Sequence, residues 1–271
     1  MCQHKCEGNE SKVRMKETEA QTLTAEEIIQ QNEAVHYEFK TQIRYSQCDH
    51  HSCLKAPALI DLFQDCSTFH SEVAGVGVRT LLEQGRAWVL CHWHIVIDRY
   101  PEAFEWVTVG TFASRFRSMI ADRNFYLLDE SDKVIVRAQS TWAYMDLAHN
   151  KPLRIEQEHV DKYGLGQALP MPPEKRKVIP LEPTTPLDPV TIARHHIDTN
   201  EHVNNSQYVQ IALDVVPEEL HPFCIRVDFK TSARLGDTVH PSVASDDERT
   251  VVELDDVTGN SYALIELSKL G

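Results

Sequence analysis

No run of apolar residues in this chain approaches the ~20 that a membrane-spanning helix needs. The opening MCQHKCEGNE has no apolar stretch of the kind a secretory signal carries, so no signal peptide is expected. Seven cysteines, an odd number scattered along 271 residues, do not form a disulfide framework. With no signal, reduced thiols in a cytoplasmic protein are the expectation. Positive charge is scarce in the last third: residues 182–271 carry a net charge of −10, against −1 for 35–181 and −3 for 1–34. That scarcity excludes nucleic acid as a partner of this third, because phosphate binding needs local Lys and Arg. A Gly-rich phosphate-binding loop is also missing. Cys2-x-His4-x-Cys6 offers three metal ligands but no partner pair at zinc-like spacing, so a solvated tail is the better reading and neither metal nor cofactor is expected.

What is present is an ordinary globular composition, 42% hydrophobic and 25% charged. Residues 1–34 read as an extension, polar and partly disordered to about residue 22. TAEEIIQQNEA then has Thr24 and Glu27 placed for a capping box. From Tyr37 the text is organised. YEFKTQIRYS alternates as a strand does. LKAPALIDLFQDCSTFHSEVAG sets Leu59, Phe63, Cys66 and Val73 at helical intervals and ends at Gly75, which predicts a long buried helix. RAWVLCHWHIVIDRYP, EWVTVGTFASRFR and DRNFYLLDESDKVIVRAQSTWAYMD predict antiparallel strands, the last with a turn at DESDK. A Pro-rich stretch within 156–189 reads as a linker. A similar order then returns: IARHHIDTN as a strand into a turn, HVNNSQYVQIALDVV as a helix, and FCIRVDFKTSA, DTVHPSVASD and ERTVVELDDVTGNSYALIELSKL as strands.

The chain therefore repeats itself. RYSQCDHHSCLKAPALIDLF lies over RHHIDTNEHVNNSQYVQIAL, with Asp49 on Asp198, His51 on Asn200 and Cys53 on His202. Helix followed by antiparallel sheet is a two-layer α+β plan. The boundaries read as 1–34 extension, 35–155 first repeat, 156–189 linker and 190–271 second repeat.

The residues Asp198-x-Asn200-x-His202-Val203-Asn204-Asn205 admit two readings. Asp, Asn and Ser are ordinary turn and helix-cap residues. The same set suits thioester hydrolysis: an imidazole that carries a proton near neutral pH, an amide that orients water or carbonyl, and an acid that fixes the imidazole. In an extended segment the alternate spacing would put all three on one side. A helix starting near Val203 would aim backbone N–H groups at developing negative charge.

Over residues 37–271 the sequence resembles the acyl-acyl carrier protein thioesterases of plants and bacteria. RYSQCDHHSCLKAPALIDLFQD, GRAWVL and IDRYP are similar to the first half of that family, and HIDTNEHVNNSQYV and FKTSARLGD to the second. The resemblance implies a tandem (double) hot-dog fold, with two antiparallel sheets each wrapping a long helix. It implies hydrolysis of fatty acyl-acyl carrier protein to free fatty acid, with Asp198, Asn200 and His202 catalytic and the acyl pocket in the first repeat. Leu59, Phe63, Trp88 and Trp93 are the candidate pocket residues, although plain core is the better reading for most of them. The family also implies an acid where this chain has Ser232, followed in plant members by Cys where this chain has Ala233. A water nucleophile is therefore expected, oriented by Asn200 and activated by His202 with Asp198, and Ser232 is the candidate for positioning it. Asp228 on the same strand lies ~13 Å away from that position, too far to substitute, and Glu201 should point away from the cluster. Asp49, His51 and Cys53 have the makings of a thiol hydrolase, but a thiol beside an apolar helix is more often packing. An acidic carrier protein would dock on the near-neutral middle through Arg115, Arg117 and Arg123. Monomer and homodimer both remain open. The competing readings are an acyl-coenzyme A thioesterase and a catalytically weak acyl-binding relative.

Overall fold

The computed structural model describes residues 23–173, 177–217 and 222–269. Among these residues are five α-helices, α1 Ala25–Gln31, α2 Ala56–Val73, α3 Val78–Glu83, α4 Gln157–Tyr163 and α5 Asn205–Asp214, and two short 3-10 turns at Tyr45–Gln47 and Arg194–His196. In the first half of the chain the strands are β1 Tyr37–Gln42, β2 Arg86–Ile97, β3 Trp106–Arg117, β4 Ile120–Leu128, β5 Val134–Asp146 and β6 Lys151–Pro152. The second half adds β7 Thr185–Pro186, β8 Val190–Thr191, β9 Cys224–Phe229, β10 Thr238–Ser245, β11 Arg249–Asp255 and β12 Ser261–Ser268. The architecture is α+β, with a large antiparallel sheet and few helices.

The sheet runs β1-β3-β4-β5-β2-β9-β12-β11-β10-β7, with β6 added on β5 and β8 on β10. It is one continuous 12-stranded sheet, a correction to the expected pair of separate sheets. The join is β2 on β9, in register from His92 opposite Asp228 to Val96 opposite Cys224. The physical reason is edge pairing. β2 is already bonded to β5 along its other side, and leaving its second edge open would expose a row of unpaired backbone groups.

Helix α2 forms where the apolar spacing predicts, with Pro57 in its first turn, where a missing N–H costs nothing. Leu59, Ile60, Phe63 and Cys66 are fully buried on its inner face. Val73, expected on that face, is 73% exposed, because the last turn runs past the sheet before Gly75 reverses the chain at φ +71. α5 buries Tyr208, Val209, Ile211 and Ala212. Both helices share one core with Trp93, Ile95, Ile97, Phe125, Val227 and Ile265. Complete burial of a side chain of Phe63's size contributes about 2–3 kcal/mol.

Both flanking segments pack against the body of the fold. The predicted cap of α1 is present, with Thr24 Oγ1 accepting from Glu27 N and Glu27 Oε2 accepting from Thr24 N. The helix is packed rather than loose: Ile28 and Ile29 sit with Phe112, Tyr126, Leu128 and Leu169. The expected disorder to residue 22, and Cys2, His4 and Cys6 with it, lie outside the described residues. The Pro-rich stretch is also anchored. His159 and Tyr163 of α4 are buried, and Val178 and Leu181 cover Val251 and Leu264. Since Val252 and Ile265 belong to the helix-side core, alternation along the strands puts this strap on the opposite face of the sheet.

Candidate functional site

An aspartate followed by small polar residues tends to bond its own backbone rather than extend, and Asp198 does so. Its Oδ1 accepts from Asn200 N at 2.8 Å and His202 N at 3.3 Å, and its Oδ2 accepts from Asn200 Nδ2 at 3.3 Å. Asp198 N donates to His202 O at 2.8 Å. Ile197 pairs with Val203 across the loop, and Glu201, exposed, takes φ +60. The segment is a closed turn, not the extended run that the alternate spacing suggested. It still gathers Asp198 and His202, both half-buried, with exposed Asn200.

The chain then enters α5 through Asn204, whose Oδ1 accepts from Ser206 N at 3.1 Å. The helix begins two residues later than Val203, and one of its first N–H groups is spent on this cap. Val203 N donates to Ala233 O at 3.0 Å, and Ala233 N donates to Tyr208 Oη at 2.8 Å. These two bonds hold residues 231–233 against the turn, so Ser232, exposed, is its neighbour. α2 of the first half supplies the other wall. Gln64 Nε2 donates to Asn204 Oδ1 at 3.1 Å, and Asn205 Nδ2 donates to Gln64 Oε1 at 2.8 Å. Burial pushes the Asp61 carboxyl above the usual range, with the Ser206 hydroxyl opposing; Ser206 Oγ donates to Asn204 Oδ1 at 3.3 Å. Sequence reasoning missed Asp61 and Gln64. The polar positions of α2 were visible, but the surface they meet lies 141 residues away in the case of Asn205.

The family model described as the acyl-ACP thioesterase N-terminal domain matches residues 34–163, and that of the C-terminal domain matches residues 187–266. The chain belongs to the acyl-acyl carrier protein thioesterase family. Oleoyl-acyl carrier protein thioesterase 2, chloroplastic, of Arabidopsis thaliana is 26% identical over 219 residues, which are 72% of this chain and 59% of that relative. Acyl-[acyl-carrier-protein] hydrolase FATB3, chloroplastic, of Cuphea viscosissima is 26% identical over 175 residues, 60% of this chain and 42% of the relative. The chain thus spans less than two thirds of the length of these two curated relatives. In fold it is similar to the crystal structure of an acyl-ACP thioesterase from Bacteroides thetaiotaomicron, with a TM-score of 0.81 at 23% identity, covering 88% of this chain and 98% of that one.

In this acyl-acyl carrier protein thioesterase family member the turn of the first half has the same bonding. Asp49 Oδ1 accepts from His51 N at 2.9 Å and Cys53 N at 3.0 Å, and Asp49 N donates to Cys53 O at 2.9 Å. Burial, then Asp49, push the Cys53 thiol up, the reverse of what a thiolate nucleophile needs. Asp228 lies outside the site altogether. It is on the strap side of the sheet, where its Oδ1 accepts from His92 Nδ1 at 2.7 Å and its Oδ2 from Lys230 Nζ at 3.2 Å. Burial opposes its charge, but these partners outweigh it and hold the carboxyl below the usual range.

Leu59, Phe63 and Trp93 are fully buried. The Phe63 ring lies 5.2 Å from Phe125 and 6.1 Å from Trp93, so this layer is filled. Trp88 stands apart, 4.9 Å from the Tyr144 ring and near His159. Close to it a cavity of about 350 Å³ is lined by Thr80, Leu81, Arg86, Glu156, His159 and Lys162 among others. Of the three arginines expected to dock a carrier, Arg123 is a correction. It is 7% exposed, donates to His70 Nδ1 at 2.9 Å and Thr111 Oγ1 at 3.3 Å, and lies over the Tyr163 ring. Alternation on β4 turns it inward, out of reach of a carrier. Arg115 is exposed but ion-paired to Asp122, and Arg117 is exposed. Among the described residues no group of three or more His, Cys, Asp or Glu is arranged to hold a metal, and no helix is long and apolar enough to cross a membrane.

Proposed function

We propose that this chain hydrolyses the thioester of fatty acyl-acyl carrier protein and releases free fatty acid. The observation that carries the reading is the Asp198–His202 turn, fixed at the N-terminus of α5 and against residues 231–233, in a chain of this family. Asn200 projects from the turn, its Nδ2 donating to Asp198 Oδ2 and its amide oxygen left to orient water. His202 carries a proton in the cycle. Asp198 holds the turn closed, and Ser232 helps to position the water. Two similar halves, each with a turn, a helix and antiparallel strands, are read as a tandem hot-dog whose sheets have merged at β2 and β9.

The acyl chain is held in the first half, in the layer of Leu59, Phe63 and Trp93, where each CH₂ buried gains about 0.8 kcal/mol. Because that layer is filled, entry requires these side chains to part. The acidic carrier protein docks on Arg117 and Arg115. The protein works in the cytoplasm on this reading, although the relatives named above are chloroplastic. Ser232 favours a second reading, an acyl-binding protein with weak hydrolysis, because a hydroxyl cannot serve as the missing acid. A panel of C8 to C18 acyl-acyl carrier proteins, with matched acyl-coenzyme A substrates, decides. Release from the carrier protein at a preferred chain length is expected. Faster release from coenzyme A would replace the proposed carrier, and binding without release would select the second reading.

A further inference from the structure

Thioester hydrolysis needs a group to take a proton from the attacking water and a source of a proton for the departing sulfur. The turn holds one aspartate, and both its oxygens are engaged: Oδ1 with two backbone N–H groups and Oδ2 with the Asn200 amide. Position 232 carries only a hydroxyl. A second carboxyl reaches the first turn of α5 from the other half of the chain. Asp61 of α2 is half-buried. Its Oδ1 accepts from Gln64 Nε2 at 3.4 Å, and the Ser206 hydroxyl, which donates to Asn204 Oδ1 at 3.3 Å, acts on it. Gln64 continues the network to Asn204 and Asn205, two and three residues beyond His202.

The groups that act on Asp61 are few. From α5 comes the Ser206 hydroxyl, which favours the carboxylate; from α2 itself come the Gln64 amide, which does the same, and Asp65, which opposes it. Arg44 acts on Asp65, and no cation is among the influences on Asp61. A carboxylate kept in a helix interface for stability alone is ordinarily paired with a cation. One that is desolvated and held by neutral donors at a helix N-terminus is placed as a proton-transfer group is.

We propose that Asp61, contributed by the helix of the first half, is the general base for hydrolysis at the turn of the second half. The inference rests on the thioesterase reading above. The Asp61 carboxylate takes one proton from water as the water oxygen bonds to the thioester carbonyl carbon. The tetrahedral intermediate collapses, the C–S bond breaks, and protonated His202 delivers a proton to the sulfur. The products are a carboxylic acid and the free thiol of the carrier. The proton on Asp61 returns to His202 through solvent, which restores both groups.

The test is steady-state kinetics on an acyl-acyl carrier protein for the full chain, Asp61→Asn, Asp61→Glu and His202→Ala, each checked for folding by circular dichroism. The expected result for Asp61→Asn is a kcat lower by roughly 100-fold or more, a KM within about threefold of the parent, and loss of the acidic limb of the kcat–pH profile. Asp61→Glu keeps that limb but moves its midpoint. Asp61→Asn active within about threefold of the parent, with the same acidic limb, overturns the proposal. If Asp61→Asn does not fold, Asp61→Glu decides: an acidic limb unmoved from the parent's overturns it. His202→Ala separates the two levels. If His202→Ala is inactive while Asp61→Asn is active, this inference fails and the site stands. If both keep full activity, the placing of the site fails with it.

Discussion

On the function proposed above, Asp198 serves both chemistry and architecture, and Asp49 only the second. The same bonds close both turns, which makes the pair an internal control. Replacing either aspartate by Ala removes a carboxylate oxygen that accepts two backbone N–H groups. A hydrogen bond to a charged group is worth about 1.5–3 kcal/mol net. Both turns are partly open to water, which takes up some of the freed donors, so about 2 kcal/mol is expected for each substitution. In a chain of this size that corresponds to a fall of about 4–8 °C in Tm. Urea denaturation and thermal melts of Asp49→Ala and Asp198→Ala should give similar losses. Fatty acid release separates them: Asp198→Ala should lose it, because the turn that presents Asn200 and His202 loosens, whereas Asp49→Ala should keep it at temperatures where the protein is folded. Unchanged stability in both variants, within about 0.5 kcal/mol, would refute the assignment of these aspartates as turn-holding groups. Equal loss of activity in both would refute the division of labour between the halves.

Acid should destabilise the protein through two buried histidines. Burial, with Arg123 beside it, lowers His70 to about 3, and burial, with Arg226 beside it, lowers His94 to about 4. Each is neutral in the folded state and protonates when unfolded below about pH 6.5. Stability is therefore greatest above that pH and falls as pH drops toward 4, by up to roughly 1.4 kcal/mol per pH unit for each histidine. Urea midpoints at pH 7 and 5 should differ less for His70→Gln with His94→Gln than for the parent. Phe63→Ala should cost about 3–5 kcal/mol in urea denaturation, since the ring is fully buried against Trp93 and Phe125. Arg117→Glu should raise KM for an acyl-acyl carrier protein, more at low salt than at high, while leaving Tm within about 1 °C. Arg123→Met should show the opposite pattern, with Tm shifted and the salt dependence of KM unchanged.

Helical and strand periodicity carried most of the elements, because burial of one face imposes it locally. α2 follows the spacing of Leu59, Phe63 and Cys66, and the strands from β2 to β5 fall where Val, Ile and aromatic residues cluster. Long-range pairing was not legible. Nothing in RAWVLCHWHIVID says that its free edge will meet β9, with Trp93 opposite Val227 and Ile95 opposite Ile225, and merge two sheets into one. Composition hid two contacts. Arg123 reads as surface, yet its neighbours in β4 alternate it inward onto His70. The Pro-rich stretch reads as a linker, yet Val178 and Arg226 tie it to the sheet, through Asp228 Oδ2 and Lys177 O respectively. At the site the residue types were legible and their geometry was not. The alternation Asp198-x-Asn200-x-His202 suggested an extended cluster, whereas the aspartate uses that spacing to collect backbone donors. Asp61 and Gln64 gave no local signal, since the contacts of Gln64 are with the helix it faces.

The most direct measurement is kcat/KM for release of fatty acid from the preferred acyl-acyl carrier protein by the parent and by His202→Ala, with both proteins shown to be folded. The account predicts measurable release by the parent and a loss of roughly 100-fold or more in the variant. Release that is undiminished in His202→Ala would contradict the placing of the chemistry at this turn.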